Sequence, residues 1–147
     1  MFQCTYHPHE MRRFKRPNLF WRLNMPLVEL RYKPDCDLED VVSLLALALP
    51  HIVAPHLSLP EREALDGLVS SKDIIVRCSR SSKVDVNSKD LEILIFAHDF
   101  PERKANLEKR KDAIIAGIRE FLTNYDPNLK ISGFVWVWLV PTAFGEL

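Results

Sequence analysis

The chain has 147 residues with 20 acidic and 20 basic side chains, a length that supports one domain able to hide roughly two thirds of its unfolded surface without staples. Its three cysteines, Cys4, Cys36 and Cys78, form no C-x-x-C pair; this argues against a disulfide framework or a zinc knuckle and for a reducing, cytoplasmic setting. The longest apolar stretch, Val41 to Ala54, contains Ser43, Pro50 and His51 and falls short of the roughly 20 residues of a bilayer crossing, so no membrane partner is expected.

The neutral total conceals an asymmetry. Residues 1–25 hold Arg12, Arg13, Lys15, Arg16 and Arg22 against Glu10 alone, five cations to one anion, or +4, which leaves −4 for the remainder. A body of that sign lacks the clustered Lys and Arg that a phosphate backbone requires, and nucleic acid is discounted as a partner. Residues 1–24 show no clean period, are interrupted by Pro8 and Pro17, and offer no apolar segment with a cleavage site. They read as an irregular basic arm, either genuine or an upstream mis-called start, ahead of a domain spanning 25–147.

In the body, residues 26–33 alternate, with Val28, Leu30 and Tyr32 on one face and Leu27, Glu29, Arg31 and Lys33 on the other, as in a half-buried strand. The period then changes. Asp37, with Asp40 at its N3 position, starts a helix whose apolar residues (Leu38, Val41, Val42, Leu45, Leu49, Ile52, Val53) recur at three and four, and Pro50 is expected to bend or end it. The capping-box spacing of Ser58 and Glu61 predicts a short helix up to Gly67 before a strand over 73–79.

The plan repeats. Residues 91–98 form a nearly continuous apolar strand, and Asp99-Phe100-Pro101-Glu102 combines cap, proline and N3 glutamate at the start of a helix running to about Tyr125. Its predicted buried stripe is Leu107, Ile114, Ile118, Phe121 and Tyr125, with Arg103, Lys104, Lys109, Arg110 and Lys111 on the wet side. After the turn Asp126-Pro127-Asn128, residues 134–140 (FVWVWLV) form the last strand. At an offset of 64 positions Leu27 falls on Leu91, Leu30 on Leu94 and Tyr32 on Phe96. The implied fold is α+β: two β-α-β units forming a four-stranded mixed sheet with two helices on one face. Two helices leave the other face bare, yet strands 91–96 and 134–140 are apolar on both faces, which predicts self-association.

Two β-α-β units with Met25-Pro26 at the head of the first strand resemble the tautomerase superfamily, the group of 4-oxalocrotonate tautomerase and macrophage migration inhibitory factor, over about residues 25–145. The resemblance implies a homotrimer, no cofactor, a small-molecule carboxylate substrate, and a proline at the start of the first strand acting as catalytic base. The matching residue is Pro26. An N-terminal proline is a secondary amine, and an α-amino group titrates at about 7.7–8.0 before burial lowers it, which suits a base at working pH. Inside a peptide the same nitrogen is a delocalised amide and accepts no proton, and this sequence carries Met25 and 24 further residues ahead of it. Pro26 equally fits a strand-edge proline.

The tail Pro141-Thr142-Ala143-Phe144-Gly145-Glu146 resembles the family's tail, with Phe144 as a lip near the proline. Arginines in the family hold substrate carboxylates, a task suited to a bidentate guanidinium; here the candidates are Arg77, Arg80 and Arg103. His98, at the end of the third strand, is an acid/base candidate or a histidine that closes the strand. His51 and His56 are five apart, a spacing that does not stack two ligands on one helix face, so no metal site is expected. Three functions remain: a tautomerase or isomerase moving a proton in a keto-enol acid, a non-catalytic oligomeric module of the same fold, and a ferredoxin-like binding domain with the same order of elements.

Overall fold

A computed structural model describes residues 26–34, 38–61 and 68–141. The expected arm, residues 1–24, lies outside them. Alternation makes β1 (Leu27–Tyr32): Val28 and Leu30 are wholly buried against the helices, while Leu27, Glu29 and Arg31 face away.

The first helix, α1 (Glu39–Leu57), is capped by Leu38 without a side-chain hydrogen bond, one residue later than expected; Asp37 lies outside the described residues. Pro50 does not end it, and the helix continues through Pro50 and Pro55 to Leu57. Leu45, Leu49, Val53 and Leu57 recur every four residues and are all but fully buried. Each is worth about 1.5–3 kcal/mol when buried, and together they offset the roughly 3 kcal/mol that a mid-helix proline costs. By length and mean hydropathy (1.5) α1 could pass for a membrane-crossing helix, yet its inner face lies in the domain core.

Of the expected helix from Ser58 to Gly67, residues 62–67 lie outside the described residues. Ser70 and Asp73 form a reciprocal capping box around a 3-10 turn, Ser71–Asp73, which delivers the chain to β2 (Ile75–Arg80). The second unit opens with β3 (Leu91–His98), where expected. Its helix differs from expectation. It is divided into α2 (Pro101–Ala105) and α3 (Leu107–Tyr125) at Asn106, and Phe100, not Asp99, is the cap residue. The Asn106 side chain accepts a hydrogen bond from Arg110 Nε, one turn into α3. β4 (Gly133–Val140) completes the sheet.

The strand order is β2-β1-β3-β4, with β1 parallel to β2, β3 parallel to β4, and β1 antiparallel to β3. The two strands of each β-α-β unit are neighbours, which separates this fold from the split β-α-β arrangement of ferredoxin-like domains. Leu27 pairs with Phe96 and Tyr32 with Leu91, so each residue pairs with the offset-64 counterpart of the other. The units are thus related by a local two-fold axis through the β1–β3 seam.

Both long helices cover one face of the sheet, over a core of Val28, Leu30, Leu45, Leu49, Ile93, Ile95 and Ile114. α1 and α3 approach closely at Gly117: a Cβ there would lie 2.8 Å from Ile52 Cγ2. That methyl sits on a β-branched side chain with little rotamer freedom in a helix. Gly117→Ala is therefore expected to lose about 1–2 kcal/mol of stability in urea unfolding, because overpacking outweighs the roughly 1 kcal/mol gained in helix propensity. An increase in the urea midpoint would refute this close approach.

Candidate functional site

The head of β1 meets the start of β2 and the ends of β3 and β4 at one end of the sheet. Pro26 sits there and is buried. Its carbonyl accepts the Ile75 N–H at 3.1 Å, and it stands one residue beyond the Leu27–Phe96 pair, level with Ala97. Its alternation with Val28 and Leu30 turns the ring towards the helices. In the sequence as written its nitrogen follows Met25 and is an amide.

The same end holds a cluster built on Arg103, the only charged side chain in the buried set among the described residues, with no exposed surface. Its Nε donates to the Leu57 carbonyl at 2.8 Å and its Nη1 to the His98 carbonyl at 3.0 Å. The guanidinium carbon lies 5.0 Å from the centre of the Phe100 ring, against which the His98 imidazole packs edge-on at 4.6 Å. Nη2 is buried without a hydrogen-bond partner. Burial first, and then the neighbouring charge of Arg110, pull the Arg103 guanidinium down to about 10, so it remains a cation at neutral pH.

This placement corrects the expected wet side of the second helix. Arg103 is buried and Arg110 half-buried, and Arg110 Nη1 donates to the carbonyls of His56 (2.6 Å) and Ser58 (3.1 Å). Two arginines thus receive the carbonyls at the end of α1, where the helix dipole favours cations. The signal was in the sequence: Arg103, Leu107, Arg110, Ile114 and Ile118 recur at four and three, the spacing of an inward stripe. Tyr125, expected inside, is 44% exposed.

The remaining candidates divide by position. Arg77 lies on the bare face of the edge strand β2 beside Glu29, three residues along from the level of Pro26, or about 10 Å. It is exposed and forms no hydrogen bond or ion pair among the described residues. Arg80 is at the opposite end, about 20 Å from Pro26 along the strand; it is ion-paired with Glu39, and its Nε donates to the Tyr32 hydroxyl at 3.2 Å. The structure therefore gathers Pro26, His98 and Arg103 at one end of the sheet, and leaves Arg77, on the opposite face from the Pro26 ring, and Arg80, at the opposite end, apart from it. Phe144 lies outside the described residues, as do Cys4 and Cys36. Partial burial pushes the Cys78 thiol up, away from the thiolate a nucleophile needs. Among the described residues no cluster of three His, Cys, Asp or Glu side chains forms.

The bare face carries Leu27, Ile75, Leu94, Phe96, Phe134, Trp136 and Trp138 by strand alternation and register. Trp136 is 52% and Trp138 47% exposed, and Trp138 meets Phe96 edge-on at 5.3 Å. The apolar second face expected from strands 91–96 and 134–140 is present.

No protein-family model matches the sequence, and no curated protein does. Solved structures do match by shape. A fused 4-OT described as a wild-type asymmetric trimer aligns with a TM-score of 0.51 at 14% identity, over 82% of this chain and 91% of that one. A protein of unknown function from Vibrio cholerae aligns with a TM-score of 0.51 at 11% identity, over 92% and 93%. A 5-carboxymethyl-2-hydroxymuconate isomerase from Deinococcus radiodurans aligns at 0.49 and 15% identity, over 82% and 87%. At such identities what is shared is the fold, and with two β-α-β units joined antiparallel through their first strands, this chain has the fold of the tautomerase superfamily.

Proposed function

We propose that the chain is a cytoplasmic tautomerase-type isomerase that moves a proton in a small keto-enol carboxylic acid, with Pro26 as its base. The observation that carries this reading is the placement of Pro26: buried at the head of β1, in the fold where the resemblance assigns the base to that position. The mature enzyme then begins at Pro26, following removal of everything up to Met25, and the domain is the segment 25–147 less that methionine. The freed secondary amine takes a proton from the substrate's enol hydroxyl or from the carbon beside its carbonyl. The pyrrolidinium returns it to the other position, so that no proton is gained or lost overall.

Arg77, exposed on the bare face and therefore across the sheet from the Pro26 ring, is assigned a carboxylate-holding role, through bidentate hydrogen bonds, in a site completed by another copy. His98 is the neighbouring acid/base candidate. Arg103, whose bonds go to the backbone, supports the end of β3 rather than reaching for substrate unless its buried Nη2 becomes accessible. Phe144 is assigned the apolar lip by resemblance alone, and Arg80 has a place only in a site completed by another copy. The bare apolar face supports assembly, and a homotrimer is proposed.

The test has two parts. Intact mass of the protein expressed from its own gene is expected to show a species beginning at Pro26. That species should ketonise an enol of a 2-oxo acid, and Pro26→Ala should lower kcat by at least about a hundredfold, the usual contribution of a positioned base. A species retaining Met1 or Phe2 would leave a non-catalytic oligomeric module of the same fold, and equal rates for both proteins would remove Pro26 from the mechanism.

A further inference from the structure

A cleft lies at the end of the sheet opposite Pro26. It opens between α3 and the β3–β4 pair, where Leu91 and Gly133 begin their strands, with a volume of about 200 Å³. Seven residues of β3 separate that level from His98, about 23 Å, so the cleft is distinct from the Pro26 end. Its walls are branched aliphatic side chains: Ile93, Ile115, Ile118, Leu122, Ile131 and Val135. An apolar cavity of roughly 150 Å³ already admits benzene, so this one has room for a short alkyl chain.

One charged side chain, Arg119, stands at the cleft. It is exposed and forms no hydrogen bond or ion pair among the described residues. The helix supplies it no acid: positions three and four away are Ala116, Leu122, Ile115 and Thr123. Lys111, one face along the same helix, is paired with Glu108 and Asp112. The floor is kept close-fitting by Gly133, where a Cβ would lie 2.6 Å from the Leu91 carbonyl oxygen. A half-open aliphatic trough lined by one uncommitted arginine is complementary to a ligand with an apolar body and a single negative head.

We infer that the α3–β4 cleft is a binding site for a small aliphatic monocarboxylate, whose chain lies among Ile93, Ile118 and Ile131 and whose carboxylate is held by Arg119. The assignment is independent of Pro26 and of any activity there.

Titration of the ¹⁵N-labelled protein with hexanoate tests it. Saturable amide shifts are expected at Leu91, Ile131 and Gly133, and hexan-1-ol, of similar size and uncharged, should bind about tenfold more weakly, the effect of one charge-assisted contact. Arg119→Gln, a surface change that leaves the fold intact by circular dichroism, should reduce hexanoate binding to the level of hexan-1-ol. Ile131→Phe, which fills the trough, should weaken both ligands while retaining Arg119. The inference is overturned if hexanoate and hexan-1-ol bind alike, if Arg119→Gln leaves hexanoate binding unchanged, if no saturation is reached, or if the shifts gather on the bare sheet face around Trp136. Repeating the titration with Pro26→Ala should change nothing.

Discussion

Arg103→Met is expected to lower the melting temperature by about 5–15 °C, corresponding to a loss of about 2–4 kcal/mol at a conversion of roughly 2–4 °C per kcal/mol for a chain of this size. Methionine nearly fills the space of the arginine stem, so the loss is one of hydrogen bonding and not of volume. The substitution orphans two acceptors at once, the Leu57 carbonyl at the end of α1 and the His98 carbonyl at the end of β3. Each bond made by a charged donor contributes about 1.5–3 kcal/mol. Against this stands the relief of a buried cation, the same penalty that pulls the Arg103 guanidinium down to about 10. That relief is partial, because the negative end of the α1 dipole already favours the charge.

The sign of the pH dependence follows from the same displacement. Between about pH 10 and the ordinary arginine range the unfolded chain binds one more proton than the folded one, so this group's contribution makes stability rise with pH in that window and leaves it flat below. Arg103→Lys retains a cation but replaces the planar fork with a point charge, and should recover at most half of the loss. A melting temperature for Arg103→Met within 2 °C or so of the parent would show that the clamp between the units contributes little.

The second large effect is on assembly. Trp136→Glu combined with Trp138→Glu should convert an oligomer into a monomer in sedimentation velocity at micromolar concentration. Both indoles stand on the bare face of β4 and are about half exposed in the single chain. Tryptophans buried at the centre of an interface commonly cost 2 kcal/mol or more each on truncation, and two introduced carboxylates would also be desolvated on association. A weakening of about a thousandfold or more is expected. The monomer should stay folded, losing the edge-on Phe96–Trp138 and Phe134–Trp136 contacts, each worth about 0.5–1.5 kcal/mol. An unchanged sedimentation coefficient would mean that this face is not where copies meet, and the proposed trimer would have to be built elsewhere.

Several features were legible locally because each depends on residues close in the chain. Val28 and Leu30 alternate with Leu27 and Glu29, and β1 formed with those faces. Ser70 and Asp73 show where legibility thins: the same spacing occurs at Ser58 and Glu61, and it is the fold that shows the Ser70–Asp73 pair closing a reciprocal capping box. At Pro50 a sound local rule was overruled, since a proline's cost is local whereas the burial of Leu45, Leu49, Val53 and Leu57 is supplied by the sheet beneath. The charges of Arg103 and Arg110 point to solvent, whereas the structure buries the first and half-buries the second. Their acceptors at the end of α1 lie 46 to 54 residues away, and no local window contains both those donors and those acceptors.

By itself the sequence determined the strands and the presence of a long helix in each unit, their duplication at an offset of 64, the apolar second face and the position of Pro26 at a strand head. These are consequences of periodicity, and periodicity states which side of an element is apolar. Only the tertiary structure decided that β1 lies between β2 and β3, that the seam between units is antiparallel, and that two arginines close the end of α1. Those outcomes rest on pairings between distant segments, where the free energy comes from matching two surfaces and neither surface alone specifies its partner.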